Sequence, residues 1–208
     1  GFGENNTFIN NHAYVSGSAL AWMGSVNITI TNYTFNNNSA DVRGGAIYVA
    51  SGSHNCSIID SRFKDNYVTN KSSSGRFTWT AWDGTTMTFM VRQTDNAELI
   101  NQTTLLDENT TVYWYSGNLS DGVLGVGGAV YVLAENATVK NSNFTTNAAR
   151  LGGAMYVGSA SGNTKINNSM FTANEAYQRG GAVNLIASDV IIENSKFYDN
   201  IAVNGSAL

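Results

Sequence analysis

The stretch Gly127-Gly128-Ala129-Val130-Tyr131-Val132, running on to Phe144-Thr145-Thr146-Asn147, decides the fold because it recurs. Its opening, Gly-Gly-Ala-aliphatic, returns at Gly44-Gly45-Ala46-Ile47, Gly152-Gly153-Ala154-Met155 and Gly180-Gly181-Ala182-Val183. Gly17-Ser18-Ala19-Leu20 and Gly205-Ser206-Ala207-Leu208 are variants of it. Its close, Phe-x-x-Asn, stands at Phe8/Asn11, Phe35/Asn38, Phe63/Asn66, Phe144/Asn147, Phe171/Asn174 and Phe197/Asn200. The intervals between successive Phe positions are 27, 28, 81, 27 and 26. A period near 27 falls in the solenoid range. The interval of 81 holds either an excursion or two degenerate units.

The residues before each Phe choose strand over helix. Ile28-Thr29-Ile30-Thr31 and Val190-Ile191-Ile192 are rich in β-branched residues. Five positions before Phe stand Ile30, Ile58, Val139, Ile166 and Ile192. Three before it stand Asn32, Asp60, Asn141, Asn168 and Asn194. Alternation with period two places both sets on the inward face. Strict alternation would then send Phe outward and Arg62 and Lys196 inward. A corner just after the Asn is therefore expected, turning Phe to the core. The expectation is an all-β, parallel β-helix of coils of about 27 residues, whose identical residues stack at about 4.8 Å. Ladders of Asn before and after Phe would satisfy turn backbone.

Gly-Gly-Ala-Ile followed by Phe-x-x-Asn resembles the repeat of the chlamydial polymorphic outer-membrane proteins. The resemblance covers residues 8–67 and 127–208. It implies a right-handed parallel β-helix and a role in surface adhesion. The chain reads as an extracellular, eukaryotic relative of that repeat.

Composition narrows the class. There is no Pro, only 12% of residues are charged and the net charge is −4, so no basic nucleic-acid footprint exists. The chain opens on Gly1, as a mature product or a fragment would. The single Cys56 reads as a buried thiol, level with Ile28, Ala137 and Val190. Asn-x-Ser/Thr occurs 13 times, against about five expected from composition. This excess points to a secreted, N-glycosylated surface protein. The acceptors are Asn5, Asn27, Asn32, Asn37, Asn55, Asn70, Asn101, Asn109, Asn118, Asn136, Asn143, Asn167 and Asn204. On the register above, Asn27, Asn55, Asn136, Asn143 and Asn167 face outward and carry glycan, whereas Asn32 is buried and does not.

The organisation expected is a single β-helix domain, with N-terminal coils in 1–67, an aromatic-rich insertion in 68–126 and C-terminal coils in 127–208. Phe77 to Trp82 and Thr85 to Val91 flank Asp83-Gly84, a tight hairpin signal. Thr110 to Tyr115 reads as another strand, and Ala97 to Asp107 is ambiguous. Trp79, Trp82 and Trp114 of this insertion are expected first to seal it onto the flank of the solenoid, and are otherwise candidate contact residues, as a sugar platform or a subunit contact.

Catalytic readings are weak. Asp60, Arg62 and Asp65 are near in sequence, but Asp60 occupies a ladder position held elsewhere by neutral Asn. His12 and His54 each stand alone on a turn, without a metal-ligand partner in sequence. No enzyme, cofactor or metal is expected beyond covalent N-glycans. The expected partners are neighbouring copies or longer-chain neighbours along the solenoid axis, or a glycan on a cell surface. The closing Gly205-Ser206-Ala207-Leu208 repeats a coil opening, which fits such stacking.

Overall fold

The computed structural model describes residues 3–68, 73–80, 86–90, 98–104, 110–116 and 125–208 except 160, with side chains in 3–68 and 125–208. The described residues contain strands and no helix. They divide into two units, Gly1–Asn70 with Gly125–Leu208, and Lys71–Leu124.

The first unit is a parallel β-helix of four-sided coils. Each coil runs through four short strands, and equivalent strands pair in register to make four parallel sheets. An isoleucine face contains Thr29–Thr31, Ser57–Ile59, Thr138–Lys140, Lys165–Asn167 and Ile191–Glu193. A phenylalanine face follows, from Thr7–Ile9 to Lys196–Tyr198, with Phe8, Phe35, Phe63, Phe144, Phe171 and Phe197 in one column. An alanine face comes next, from His12–Ala13 to Ile201–Asn204. A tyrosine face, from Leu20–Trp22 to Val183–Leu185, completes the circuit.

The core is a set of columns, because each coil buries its apolar positions only against its neighbours. Ile30, Ile58, Val139 and Ile166 are buried in one column, and Ile47, Val130, Met155 and Val183 in another. The phenyl rings stack nearly parallel, with centroids 4.7 Å apart from Phe35 to Phe63, Phe63 to Phe144 and Phe144 to Phe171. Cys56 lies in the core at 2% exposure, and burial pushes its thiol pKa up, so it is a small apolar filler.

Four corners turn each coil, and each uses a left-handed residue. All 17 described non-glycine residues with positive φ sit at three of these corners. Fifteen are Asn or Asp, whose short polar side chains tolerate that conformation best. The fourth corner, between the alanine and tyrosine faces, is Gly17, Gly44, Gly127, Gly152, Gly180 and Gly205.

This geometry corrects the register before Phe. The corner falls on the Asn itself, not after it. Asn32, Asp60, Asn141, Asn168 and Asn194 all have φ between 49° and 58° and are exposed. A left-handed residue swings its side chain outward and resets the alternation there. The next residue then points inward, and Ser61, Ser142 and Ser169 are buried at that place. Each serine accepts a backbone N–H from the coil before it and donates to its own chain. Ser142 Oγ accepts from Ser61 N at 3.2 Å and donates to Lys140 O at 2.9 Å. The ladder before Phe exists, but it lies outside: Asn168 Nδ2 donates to Asn141 Oδ1 at 2.8 Å, and Asn141 Nδ2 to Asp60 Oδ1 at 3.0 Å. The ladder after Phe lies inside, as expected.

The long gap is an excursion. Tyr67 and Val68 pair with Ser39 and Ala40, and the chain re-enters at Gly125 and Val126, whose N–H groups both bond Val42 O. Phe63 then stacks directly on Phe144. The interval of 81 is thus one coil plus the segment Lys71–Leu124. The second coil crosses the same interval, from Ala40 to Arg43, with only Asp41 and Val42.

The second unit is an antiparallel four-stranded sheet. Ser73–Thr80 pairs with Thr86–Met90 on one side and with Thr110–Ser116 on the other, and Thr110–Ser116 pairs with Glu98–Thr104. The ambiguous stretch from Ala97 thus contains a strand. The turn expected at Asp83-Gly84 lies outside the described residues.

Excising residues 70–124, so that Thr69 joins Gly125, should leave the β-helix folded, because the second coil already crosses that interval with two residues. Thermal unfolding followed by circular dichroism should stay cooperative, with the midpoint unchanged or raised by the shorter loop. Loss of cooperative unfolding would show that the excursion holds the coil together.

Candidate functional site

Chemistry-bearing side chains lie on the outside of the solenoid, since its interior is filled. Stacking brings together residues one period apart. His12 is the clearest case, and it is not alone as its sequence surroundings suggest. Its Nδ1 lies 2.9 Å from Ser39 Oγ, its Nε2 lies 3.7 Å from Asp41 Oδ1, and its ring meets Tyr14 edge-on at 5.1 Å. A Ser/His/Asp trio resembles a hydrolytic triad in composition. The serine, however, is only 5% exposed, behind His12, so a substrate carbonyl cannot reach Oγ. These contacts pin the first coil to the second. The sequence did contain the signal: adding one period to His12 arrives at Ser39.

Asp60 and Asp65 do not converge. They occupy successive corners at opposite ends of the strand Arg62–Lys64, each exposed to solvent or half-buried. Asp65 pairs with Lys64 at 3.8 Å and accepts from Thr146 Oγ1. Paired-carboxylate hydrolysis requires two carboxyl groups facing one bond, which these do not. Among the described residues, no group of three His, Cys, Asp or Glu side chains is placed to hold a metal.

The outer side of the tyrosine face carries an aromatic row. Tyr48 and Tyr131 stack at 5.5 Å, and Tyr131 and Tyr156 at 5.1 Å. The Arg43 guanidinium carbon lies 5.6 Å from the Tyr131 ring centre. Burial drives the Tyr131 phenol up to about 12, against an opposing pull from the positive charge of Arg43. Its neutral burial therefore contributes stability fully below pH 10 and loses it as pH rises towards 12. Tyr156 is shifted upward too, again by burial first and with Arg43 opposing. A shallow depression on the isoleucine face is lined by Asn136, Thr138, Asn163, Lys165 and Ile191.

The sequons sort by position. Asn27, Asn37, Asn55, Asn136, Asn143 and Asn204 are exposed, and Asn167 is half-buried. Asn5 and Asn32 are exposed as well, so the sequence-based exclusion of Asn32 fails with the register that produced it. Asn5, Asn27, Asn32, Asn37, Asn55 and Asn136 are all left-handed corners. After the corner Asn27, Asn55 and Asn136, the residue two on is Thr29, Ser57 or Thr138, on the outer side of the isoleucine strand. Corner geometry therefore accounts for a large part of the sequon excess. Some corner amides are already engaged: Asn55 Nδ2 donates to Asn27 Oδ1 at 3.0 Å, and Asn37 Nδ2 to Asn10 Oδ1 at 2.8 Å. Asn70, Asn109, Asn118 and Trp82 lie outside the described residues, as do the side chains of Asn101, Trp79 and Trp114.

A family model for the Chlamydia polymorphic membrane protein (Chlamydia_PMP) repeat matches residues 32–50. That segment runs from the Asn32 corner through Phe35 and Asn38 to Gly44-Gly45-Ala46-Ile47, one full set of the repeat's signatures. The chain thus contains a repeat of this type within a parallel β-solenoid. No curated protein and no solved structure matched the chain.

Proposed function

We propose that this chain is a non-enzymatic, extracellular structural protein: an N-glycosylated β-helical unit of a surface fibre, appendage or matrix that stacks head to tail. The repeat match supports a place at the cell surface, the setting of the membrane proteins that give the family its description. The observation that carries the assembly reading is the self-complementarity of the coil. Every coil offers the next the same phenylalanine and asparagine columns, and a coil of a second copy presents the same chemistry.

Negative-stain images of the purified protein at rising concentration test this reading. Filaments whose length grows with concentration are expected. Isolated short rods at every concentration would contradict it. Glycosylation is tested separately, by intact mass before and after enzymatic removal of N-glycans. Material from a eukaryotic secretory host should lose mass, with glycopeptides mapping to exposed sites such as Asn143 and Asn204. An unchanged mass would end the glycoprotein reading.

A second reading, an adhesin or carbohydrate-binding module, is favoured by one observation. The chain commits the whole segment Lys71–Leu124 to a separate unit built on an antiparallel sheet. Binding on a glycan array that is lost in Trp79→Ala or Trp114→Ala, with the β-helix intact, would support it. Binding unaffected by both substitutions would contradict it.

A further inference from the structure

On the solenoid Arg43 stands beside the tyrosine row, with no carboxylate of the described residues at ion-pair distance. Pairing puts Ser16, Arg43, Val126, Leu151 and Arg179 in one line, next to the line of Ala21, Tyr48, Tyr131, Tyr156 and Asn184. Arg43 is half-buried, and its Nε is buried without a hydrogen-bond partner. No carboxylate among the described residues lies within ion-pair distance of it. Asp41, two residues earlier, approaches His12 instead. A guanidinium held against an aromatic ring gains cation–π attraction, but its five donors still require acceptors. The enclosed Nε is out of a ligand's reach, so a planar oxyanion could meet only the Nη nitrogens of the guanidinium.

We propose that Arg43 is the centre of a binding site for the carboxylate or sulfate groups of an acidic polysaccharide, with Arg179 meeting a second anionic group three coils along. The two arginines stand about 14 Å apart on the inter-strand spacing, a separation suited to charges spread along a sugar chain. The Arg43 guanidinium carbon lies 5.6 Å from the Tyr131 ring centre, and Tyr156 stacks on the same ring at 5.1 Å. Tyr156, which is half-buried, keeps its phenol proton at neutral pH and can donate to an oxyanion. The rings cover each other's faces, so sugar stacking on Tyr131 is blocked and recognition rests on charge and hydrogen bonds. With both faces of Tyr131 covered, a single-stranded nucleic acid finds no base-stacking platform there, which favours an acidic polysaccharide as the occupant. Arg43, Arg179 and the tyrosine row all belong to the first unit, and their use as a binding site does not require head-to-tail assembly.

Calorimetric titration of the full chain tests it, with an oligogalacturonate, a heparin-derived sulfated oligosaccharide, neutral dextran and a single-stranded DNA oligonucleotide. Binding of at least one acidic oligosaccharide is expected, and none of dextran. A preference between the two acidic probes tells carboxylate from sulfate. Affinity should fall at least about tenfold in Arg43→Ala, less in Arg43→Lys, and should weaken as salt rises. Arg179→Ala should weaken the oligosaccharide but leave a monosaccharide uronate or inorganic sulfate unaffected, which keeps the test sound if Arg43→Ala fails to fold. No binding of either acidic probe, equal binding by folded Arg43→Ala, or equal binding of dextran or DNA would overturn the proposal.

Discussion

Asn147→Ala should destabilise the β-helix by about 4 kcal/mol or more, the sum of several buried polar groups left unpaired at about 1–3 kcal/mol each. Asn147 is 0% exposed and is bonded on both sides. Its Oδ1 accepts from both the backbone N and the Nδ2 of Asn66, each at 3.0 Å. Its Nδ2 donates to Phe63 O at 3.1 Å and to Asn174 Oδ1 at 2.9 Å. Alanine has neither function, so donors on Asn66 and the carbonyl of Phe63 lose partners in a place water does not reach. Asn147→Asp should be at least as harmful, because a carboxylate cannot donate to Phe63 O and its charge would be buried. Equilibrium denaturation in urea checks both. Against a typical domain stability of about 5–15 kcal/mol, such a loss should leave the variant close to unfolding at 37 °C. The exposed ladder supplies the control: Asn168→Ala, whose Nδ2 bonds Asn141 Oδ1 at 2.8 Å in contact with solvent, should cost well under half as much.

Gly127→Ala should cost about 3–5 kcal/mol, from left-handed strain together with overpacking. Positive φ alone does not exclude a side chain in this fold. Thr146 and Ala173 sit at φ 53° and 52° on the corner after Phe. At Gly127 the added Cβ would come within 2.3 Å of Val130 O and 3.2 Å of Tyr131 Cα, all backbone. The same clash recurs at Gly44 and Gly152, where the meeting atoms are Ile47 O and Met155 O. Thermal unfolding should show a midpoint lowered by roughly 10 °C or more. The reverse substitution at the other corner, Ala173→Gly, should change stability by under about 1 kcal/mol, since removing left-handed strain offsets the added freedom of the unfolded chain.

The period and the columns were legible because a solenoid repeats its chemistry in sequence. Phe and the Asn after it recur in a fixed spacing, and both columns lie in the core. The corner before Phe was misread for a specific reason. Period-two alternation assumes extended backbone, and a left-handed residue breaks that assumption without changing composition. Asn is acceptable as an inward ladder and as a left-handed corner, and only the burial of Ser61, Ser142 and Ser169 beside it separates the two. That single misplacement carried over to Asn32. The interval of 81 was ambiguous because the inserted segment, Lys71–Leu124, happens to match two coil lengths. The contacts of His12 and Arg43 were invisible to a reading of local neighbours, since their partners lie one or more coils away. They become visible once residues one period apart are read as adjacent.

The columns require residues 81 apart in sequence to be next-coil neighbours. Nitroxide labels at Lys64→Cys and Thr145→Cys, in a Cys56→Ala background, measure this directly by continuous-wave electron paramagnetic resonance. The two positions are in-register partners on the outer side of the phenylalanine face. Labels one coil apart, at about 5 Å between backbones, should broaden the spectrum strongly in the double-labelled protein relative to either single label. A spectrum equal to the sum of the singles, or broadening appropriate to three coil steps of about 14 Å, would contradict the stacking of Phe63 on Phe144.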